Sequence, residues 1–401
     1  RCEHFGVCGG CRWQNLPYTT QLDYKRRQVI EALRRLGGIT DPPVEETLAS
    51  PDEYFYRNKM EFSFGRDREG VLTLGLHPAA SYTEVFDLKQ CHLESELSNQ
   101  IVAAVREECR RAGLPPYDVR EHTGFLRYLT VREGKFTGEV MVNIVTGDGG
   151  PRETEWSELL RTIAEKIRAA HPEIRSFLRN INASRATVAF GQRDQVLSGA
   201  SSIRETLMER TFEITANSFF QTNSRQAVRL YGAALEMADI RREDRVLDLY
   251  SGTGAISILA AARAAEVRGV ESLAESVRNA ERNAALNEIR NVFFICGDVK
   301  KVLGAMAGDR KPPTVVIVNP PRAGLNSAVI RSMLRLRPRR FVYVSCNPTT
   351  LARDLKEMTE RDYRLSRVKP VDMFPHTYHI ECVASIDLVP ADSTGPELER
   401  P

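Results

Sequence analysis

One cysteine, Cys346, stands where the apolar run of "RFVYVSCNPTTLARDL" gives way to an Asn-Pro turn. Buried cysteines usually only fill space. A thiol followed at once by polar residues and a proline faces an opening instead, where its ionised form can attack an electron-poor carbon. Such a group needs a nearby positive charge to favour the thiolate and a base to complete the reaction. Arg322 in "NPPRAGL" offers the charge, and "DMFPHTYHIECVASIDL" offers His376, His379 and Glu381 as bases. Glu381 opens an apolar, strand-like run and is preferred over His376. The two histidines can equally serve to orient the loop.

A second group of thiols lies at the start. "RCEHFGVCGGCRWQ" holds Cys2, Cys8 and Cys11 in a C-x5-C-x2-C spacing, with Gly6, Gly9 and Gly10 between them. Glycines let the backbone wrap so that several thiolates converge on one point. A fourth ligand is expected from Cys91 in "DLKQCHLE", a loop between a strand-like stretch and a helix. Cys109, on a helix face, and His4 and His92 are weaker candidates. An iron–sulfur cluster and a structural zinc fit the spacing equally well.

A third pattern suggests a nucleoside ligand. "DRVLDLYSGTGAISILAAARAAEVRGVES" reads as strand, glycine turn, helix and strand, with Gly252 and Gly254 at the turn. Glu271 ends the second strand, where its carboxylate can take two ribose hydroxyls. Ser257 replaces the third glycine of a dinucleotide fingerprint, which points to an adenosine ligand without a diphosphate, S-adenosylmethionine. Asp298, Asn319 and Cys346 follow three further strand-like runs. In an open parallel sheet the carboxyl ends of strands share one rim, so Tyr250, Glu271, Asp298, Asn319 and Cys346 are expected around a single cleft. A methyl donor beside a nucleophilic thiol suits a carbon that cannot take the methyl group unaided, such as C5 of a pyrimidine activated by thiolate addition at C6.

The elements that must position these residues fall into blocks. "TTQLDYKRRQVIEALRRLGGI" predicts one helix, capped by Thr19 or Thr20 and stopped by Gly37-Gly38, with an apolar stripe of Leu22, Val29, Ile30, Leu33 and Leu36. Lys25, Arg26, Arg27, Arg34 and Arg35 read as its solvated basic face. "YRNKMEFSFG", "VLTLGLHP", "FLRYLTVRE", "FTGEVMVNIVTG", "RATVAFG" and "FEITA" predict strands around one helix at "ELLRTIAEKIRAA". Strand–helix alternation then runs to about Asp387. The expected fold class is α/β: a Rossmann-like domain, a sheet-rich central domain and an N-terminal cysteine motif. The expected divisions are 1–15 for the cysteine motif, 16–40 for a helix packed on the Rossmann-like domain, 41–215 for the central domain, 216–388 for the Rossmann-like domain and 389–401 for a flexible tail.

A chain of 401 residues is long enough for two or three packed units. No apolar run approaches a membrane span and no secretory leader is visible, so a cytoplasmic protein is expected. A net charge of +3 confines any nucleic-acid site to a local patch. Eight cysteines in so long a chain, clustered as they are, do not suggest a disulfide scaffold. The chain opens on Arg1 rather than methionine, so a processed or trimmed piece is expected.

Together, "CEHFGVCGGC", "DLYSGTG", "NPPRAGL", "SCNPTTLARDL" and "FPHTYHIE" resemble the RNA uracil-5-methyltransferases, above all the bacterial iron–sulfur enzymes that make 5-methyluridine in 23S ribosomal RNA. The resemblance runs from Cys2 to about Leu388, and it implies an α/β fold in which the Rossmann-like domain is an S-adenosylmethionine-dependent methyltransferase domain, the sheet-rich central domain binds RNA and the N-terminal cysteines form an iron–sulfur motif. It implies a 4Fe-4S cluster on Cys2, Cys8, Cys11 and Cys91, and S-adenosylmethionine contacts from Gln221, Tyr250, Glu271, Asp298 and Asn319. It further implies Cys346 as nucleophile, Glu381 as proton-abstracting base and Phe219 near the target base. Two departures stand out: Asn319 replaces the family's usual aspartate, and the small RNA-binding barrel that often precedes the cysteines is absent. The transfer-RNA enzymes share these catalytic motifs and are the alternative, as is a non-catalytic iron–sulfur RNA-binding protein, which the presence of both Cys346 and Glu381 argues against.

A uridine must leave its stack to be methylated at C5. Aromatic and basic residues alternate in "YFYRNK", with Arg57 and Lys59, and in "FLRYLTVREGK", with Arg127, Arg132 and Lys135. That composition predicts contacts with single-stranded RNA.

Overall fold

Helix α1 (Tyr18–Arg35) begins one residue before the two threonines, so both lie inside its first turn rather than at the cap. Val29, Ala32 and Leu33 are buried, while Leu36 is exposed. The expected basic face is interrupted. Lys25 shares the buried face with Gln21 and Val29, and its Nζ donates to Asp372 Oδ1 at 2.5 Å and to the Phe374 carbonyl at 3.0 Å. Lys25 is therefore not solvated; an i, i+4 step from the apolar stripe carries it inward, and a buried carboxylate makes that tolerable.

The computed structural model describes residues 2–389 except positions 82 and 361. The expected tail, 389–401, lies outside the described residues apart from Val389. The chain forms two compact units: the residues up to Pro17 with Pro51–Ala227 and Pro375–Thr377, and Tyr18–Ser50 with Val228–Phe374 and the residues from Tyr378 onward. Among the described residues no helix is long and apolar enough to cross a membrane.

The first unit contains β1 (Lys59–Arg66), β2 (Leu72–Leu76), β3 (Phe86–Asp87), α2 (Glu96–Arg111), β4 (Leu126–Glu133), β5 (Val140–Thr146), α3 (Glu153–Ala170), β6 (Ile174–Ile181), β7 (Arg193–Gly199), β8 (Ile203–Leu207) and β9 (Arg210–Ile214). Its sheet runs β3-β2-β1-β4-β5-β6-β7, with β8 and β9 as a separate hairpin. Only the β5–β6 pair is parallel in that sheet, because α3 makes the crossover. Alternate residues of the strands, among them Phe62, Leu129, Val131, Val142 and Phe177, form a core with Ile101 and Val105 of α2 and Leu160 of α3.

β6, β7 and β8 carry no expectation from the sequence, and "RATVAFG" is not a strand. Arg127 donates to the carbonyls of Asn182, Ser184 and Ala186, and Asn182 Nδ2 donates to Val188 O. Side chains occupy the acceptors that a neighbouring strand would have used. The ladder partner of β6 is β7 instead.

The second unit comprises α1, most of α4 (Ser224–Ala238), and then β10 (Arg245–Leu249), α5 (Ala255–Ala261), β11 (Glu266–Glu271), α6 (Ala274–Leu286), β12 (Val292–Cys296), α7 (Val299–Ala305), β13 (Val315–Val318), α8 (Ser327–Arg335), β14 (Arg340–Ser345), α9 (Pro348–Thr359), β15 (Tyr363–Val371) and β16 (Glu381–Leu388). The sheet order is β12-β11-β10-β13-β14-β16-β15. β10 to β14 are parallel and β16 runs against both its neighbours. The order reverses direction between β10 and β13, which places the ligand crevice at the carboxyl ends beside β10. Residues 41–50, expected in the central domain, instead follow α1 into this unit. Val44 and Leu48 form parallel bridges to Val368 and Val371 along β15.

Candidate active site

The β10–α5 turn is built by positive backbone φ angles. Tyr250 has φ 62°, and Gly252 and Gly254 have φ 54° and 82°. A tyrosine in the left-handed region is costly by about 1–3 kcal/mol, and such strain clusters at ligand sites. Gly254 is required twice over, because a Cβ there would stand 2.7 Å from Phe294 Cζ and 3.0 Å from Ala280 Cβ. Glu271, the last residue of β11, accepts from Gly252 N–H at 3.1 Å through one oxygen. Its other oxygen accepts from Leu273 N–H at 2.9 Å and Ser272 Oγ at 3.1 Å. A carboxylate so held keeps free lone pairs toward the rim.

Asp298 caps α7, accepting from Lys301 N–H at 3.0 Å. Tyr250 is half-buried, and its phenol is pushed up by burial and by the charges of Asp298, Asp354 and Glu271, which places these groups within electrostatic reach of one another. Asn319 follows β13 and is tied to β10 by its backbone N–H, 3.2 Å from Leu249 O.

Asp248, one face back from the turn, is fully buried. Ser257 Oγ donates to its Oδ2 at 2.6 Å, and burial pushes its pKa up to about 7. Its Oδ1 has no partner among the described residues. Nothing in the motif "DLYSGTG" distinguished this aspartate from its neighbours, because the inward direction of its side chain comes from the strand register.

Cys346 follows β14, half-buried. Ser345 and Asn347 close the turn beneath it. Ser345 Oγ accepts from Asn347 N–H at 3.1 Å, and Asn347 Oδ1 caps α9 by accepting from Thr349 N–H at 3.1 Å, with Pro348 in the first helical turn. The Asn-Pro of the motif is thus a helix start. The "NPPRAGL" loop is fastened to it, since Asn347 Nδ2 and Thr350 Oγ1 donate to Arg322 O at 3.3 and 3.4 Å. Buried Asp354 of α9 completes the brace by accepting from Leu325 N–H and Tyr343 Oη, each at 2.7 Å.

Glu381 opens β16 in the strand beside β14, where Ser345 pairs with Cys382. It is buried. Burial alone pushes its pKa up to about 7. The Cys346 thiol is raised by burial and by the Glu381 charge, while the Arg322 guanidinium pulls it back down. The thiol therefore feels both a cation that favours its ionised form and a carboxyl group whose pKa of about 7 lets it exchange a proton near neutrality.

His376, the other candidate base, belongs to the sheet-rich unit. Its ring lies 4.3 Å from that of Tyr54 and its carbonyl accepts from Arg12 and Trp13 N–H at 2.8 and 3.0 Å. His379 lies against Tyr378, with ring centroids 4.3 Å apart. Gln221 and Phe219 are also carried by the sheet-rich unit. Gln221 is buried and Phe219 is 64% exposed.

Two of the basic residues expected to face RNA do not. Arg127 is buried under its three carbonyl acceptors and lies 4.2 Å from the Tyr117 ring. Arg132 is buried, donates to Ser218 O at 3.0 Å and is lowered to about 10 by burial. Lys135 pairs with Glu133. Arg57 and Lys59 are partly exposed; Arg57 Nε donates to Lys59 O at 2.9 Å, and Lys59 pairs with Glu61 at 2.7 Å.

In the same unit, Cys2, Cys8 and Cys11 are partly exposed and Cys91 is buried. Burial pushes Cys11 up to about 11 and Cys91 up to about 12. The thiols sense each other's charge, Cys2 with Cys8 and Cys11, Cys8 with Cys11, and Cys11 with Cys91. Backbone N–H groups of Gly10 and Cys11 point at Cys8, and those of Leu93 and Glu94 at Cys91. Among the described residues no three His, Cys, Asp or Glu side chains are arranged to hold a metal ion. Burial is the main cause of the raised thiols at Cys8, Cys11 and Cys91, with the neighbouring thiol charges adding to it and the backbone N–H groups at Cys8 and Cys91 opposing it.

The strand order and the rim of β10–β14 define a doubly wound α/β unit with its crevice at the carboxyl ends of the parallel strands. Residues 17–387 match the family model for tRNA (uracil-5-)-methyltransferases. An uncharacterized RNA methyltransferase of Chlorobaculum tepidum is 39% identical over 96% of this chain and 82% of its own. Another from Halalkalibacterium halodurans is 39% identical, over 96% and 83%. Among solved structures, the Pyrococcus abyssi tRNA (uracil-54, C5)-methyltransferase in complex with S-adenosyl-L-homocysteine is 32% identical with a TM-score of 0.76, covering 95% of this chain and 86% of that one. The chain belongs to the tRNA (uracil-5-)-methyltransferase family and is an RNA methyltransferase.

Proposed function

We propose that this enzyme moves the methyl group of S-adenosylmethionine to C5 of a uracil in RNA, with Cys346 as transient nucleophile and Glu381 as base. The observation that carries the reading is that Cys346, directly after β14, and Glu381, at the start of the paired antiparallel strand β16, lie at one edge of the sheet, with the Arg322 charge also acting on the thiol. The thiolate adds to C6, and the C5=C6 electrons move onto the O4 enolate. C5 then attacks the sulfonium methyl; the new C–C bond forms as the S–CH3 bond breaks, and S-adenosylhomocysteine leaves. The Glu381 carboxylate takes the C5 proton, the freed pair restores C5=C6, and the C6–S bond breaks to return the thiolate. Tyr250, Glu271, Asp298 and Asn319 would hold the donor; for Gln221 and Phe219 of the sheet-rich unit, the family resemblance supports a donor contact and a place near the flipped-out uracil respectively.

Cys2, Cys8, Cys11 and Cys91 would hold a 4Fe-4S cluster, supplying the positive iron centre that adjacent thiolates need. The preferred substrate is 23S ribosomal RNA in the cytoplasm, supported by the resemblance of the cysteine spacing. Transfer RNA is the second reading, favoured by the similarity to the Pyrococcus abyssi enzyme. Incubation with RNA containing 5-fluorouridine tests the chemistry, because fluorine blocks the last proton removal. The wild-type chain is expected to give a stable protein–RNA adduct that is absent from Cys346→Ala; an adduct of equal yield in that variant refutes the nucleophile. Mapping 5-methyluridine in ribosomal and transfer RNA from a deletion strain separates the two substrates.

A further inference from the structure

A hydrogen-bonded path in the sheet-rich unit runs from the cysteine motif to the loop that bears Phe219 and Gln221. His92 and Leu93, directly after Cys91, accept through their carbonyls from Phe55 N–H at 2.8 Å and Arg57 N–H at 2.9 Å. The neighbouring Tyr54 ring stacks on His376, whose carbonyl holds Arg12 and Trp13, the residues directly after Cys11. Tyr54–Arg57 is therefore tied to both arms of the motif.

The next residue is Asn58, which is buried. Its backbone N–H donates to Thr222 O at 2.8 Å and its carbonyl accepts from Glu133 N–H at 2.8 Å. Its Nδ2 donates to Gln221 O at 2.8 Å and to Ser224 Oγ at 2.7 Å. Ser224 Oγ passes the chain on to Glu205 Oε2 at 2.5 Å. The Glu205 carboxylate also accepts from the Lys135 and Phe136 amides at 2.8 and 3.0 Å. Arg132 holds the far end of the loop through Ser218 O. Ser218, Phe220, Gln221 and Asn223 are buried, and Phe219 alone among them projects into solvent. A large apolar ring kept outside, with its neighbours pinned on both sides, is pre-organised for a flat partner and loses little entropy on meeting it.

We propose that Asn58 is a positioning residue: through it the cysteine-motif end of the unit holds the loop Ser218–Ser224 in the shape that presents Phe219 and Gln221. This role rests on the reading of those two residues and of the cysteine cluster given above. It assigns the cysteine motif a mechanical part in substrate engagement, exerted through Tyr54–Asn58, with no part in the bond-making steps.

The test is amide hydrogen exchange on the full chain as wild type, iron-depleted wild type, Asn58→Ala and Ser224→Ala. Exchange across 218–224 is expected to be about 10-fold faster in Asn58→Ala, which loses two side-chain hydrogen bonds, and roughly threefold faster in Ser224→Ala and on iron depletion, with β10–β14 unchanged. In steady-state kinetics Asn58→Ala is expected to raise KM for RNA by about 10-fold with kcat nearly kept, and to form the 5-fluorouridine adduct at saturating RNA. A purely structural residue would instead lower the amount of active enzyme at unchanged KM. Wild-type exchange at 218–224 in Asn58→Ala overturns the proposal. If Asn58→Ala does not fold, unchanged exchange in both Ser224→Ala and the iron-depleted chain overturns it. Loss of protection at 218–224 in a chain that forms no fluorouridine adduct as wild type would leave the link standing and remove the reaction proposed above.

Discussion

In the α/β unit, Glu271 ends β11, Asp298 follows β12, Asn319 follows β13 and Cys346 follows β14. In the sheet-rich unit, Arg127 and Arg132 sit within β4. The first set lies at the rim where its strand-end positions placed it. The second set turned inward, away from the RNA it was expected to bind. Strand ends of a parallel sheet share one edge whatever the side chains are, so topology alone locates them. A residue inside a strand can point to either face, and its charge does not say which face will be covered. Arginine has five donors and a long apolar stem, so a buried position with enough carbonyls suits it as well as a phosphate does.

That contrast can be broken or sharpened by experiment. The largest effect belongs to the rim: Cys346→Ala is expected to lower methyl transfer by on the order of 10⁶-fold, the scale seen when a nucleophile is removed. Single-turnover assays with labelled donor would show it. Glu381→Gln is expected to cost about 10²–10⁴-fold. It should also accumulate a covalent complex with ordinary uridine RNA, since only the final proton removal is blocked; free methylated product at the wild-type rate would disqualify the base. In the wild type, the general base is active only when deprotonated. With its pKa raised to about 7, kcat is expected to rise with pH through that value and to be lost on acidification. A flat profile from pH 6 to 8 would contradict the assignment.

Smaller effects probe the inward-facing cations. Lys25 and Asp372 are both fully buried, so Lys25→Ala leaves an unpaired buried carboxylate and is expected to cost about 3–5 kcal/mol in urea unfolding. The double change Lys25→Met with Asp372→Leu should recover most of it. Arg127→Met strands the carbonyls it serves and is expected to cost about 1–3 kcal/mol, with the salt dependence of RNA binding unaltered. The smallest effect is expected at Lys59→Ala, which should reduce the slope of log affinity against log salt by about 1. If Arg127→Met changed that slope and left stability alone, the difference between the two units would disappear.

The same distinction explains which parts of the molecule were legible beforehand. The alternation of strand and helix after Ser224 and the helix of Glu153–Ala170 could be read because each is a periodic segment with its own punctuation. β6, "IRSFLRNI", could not: Arg179 and Asn180 interrupt its apolar pattern, yet Arg179 is buried by Thr146, Ser157 and Glu153, which belong to other elements. "RATVAFG" failed in the opposite sense, as a strand-like composition whose acceptors Arg127 and Asn182 had already taken. Asp248 and Asp354, which brace the candidate site, were invisible because an aspartate in a motif looks the same whether it faces water or a core.

The residue order by itself determined the chemistry on offer: a thiol at a strand end, a glycine turn with an acidic strand end beyond it, and closely spaced cysteines at the start. Those follow from local backbone rules and from side-chain reactivity, both properties of a few neighbouring residues. Only tertiary structure decided which charges are buried, that Glu381 lies desolvated beside the Cys346 strand, and that Asn58 ties the cysteine motif to the Phe219 loop. Each of these depends on what a side chain meets across dozens or hundreds of residues of chain, where solvation and pairing are set by packing.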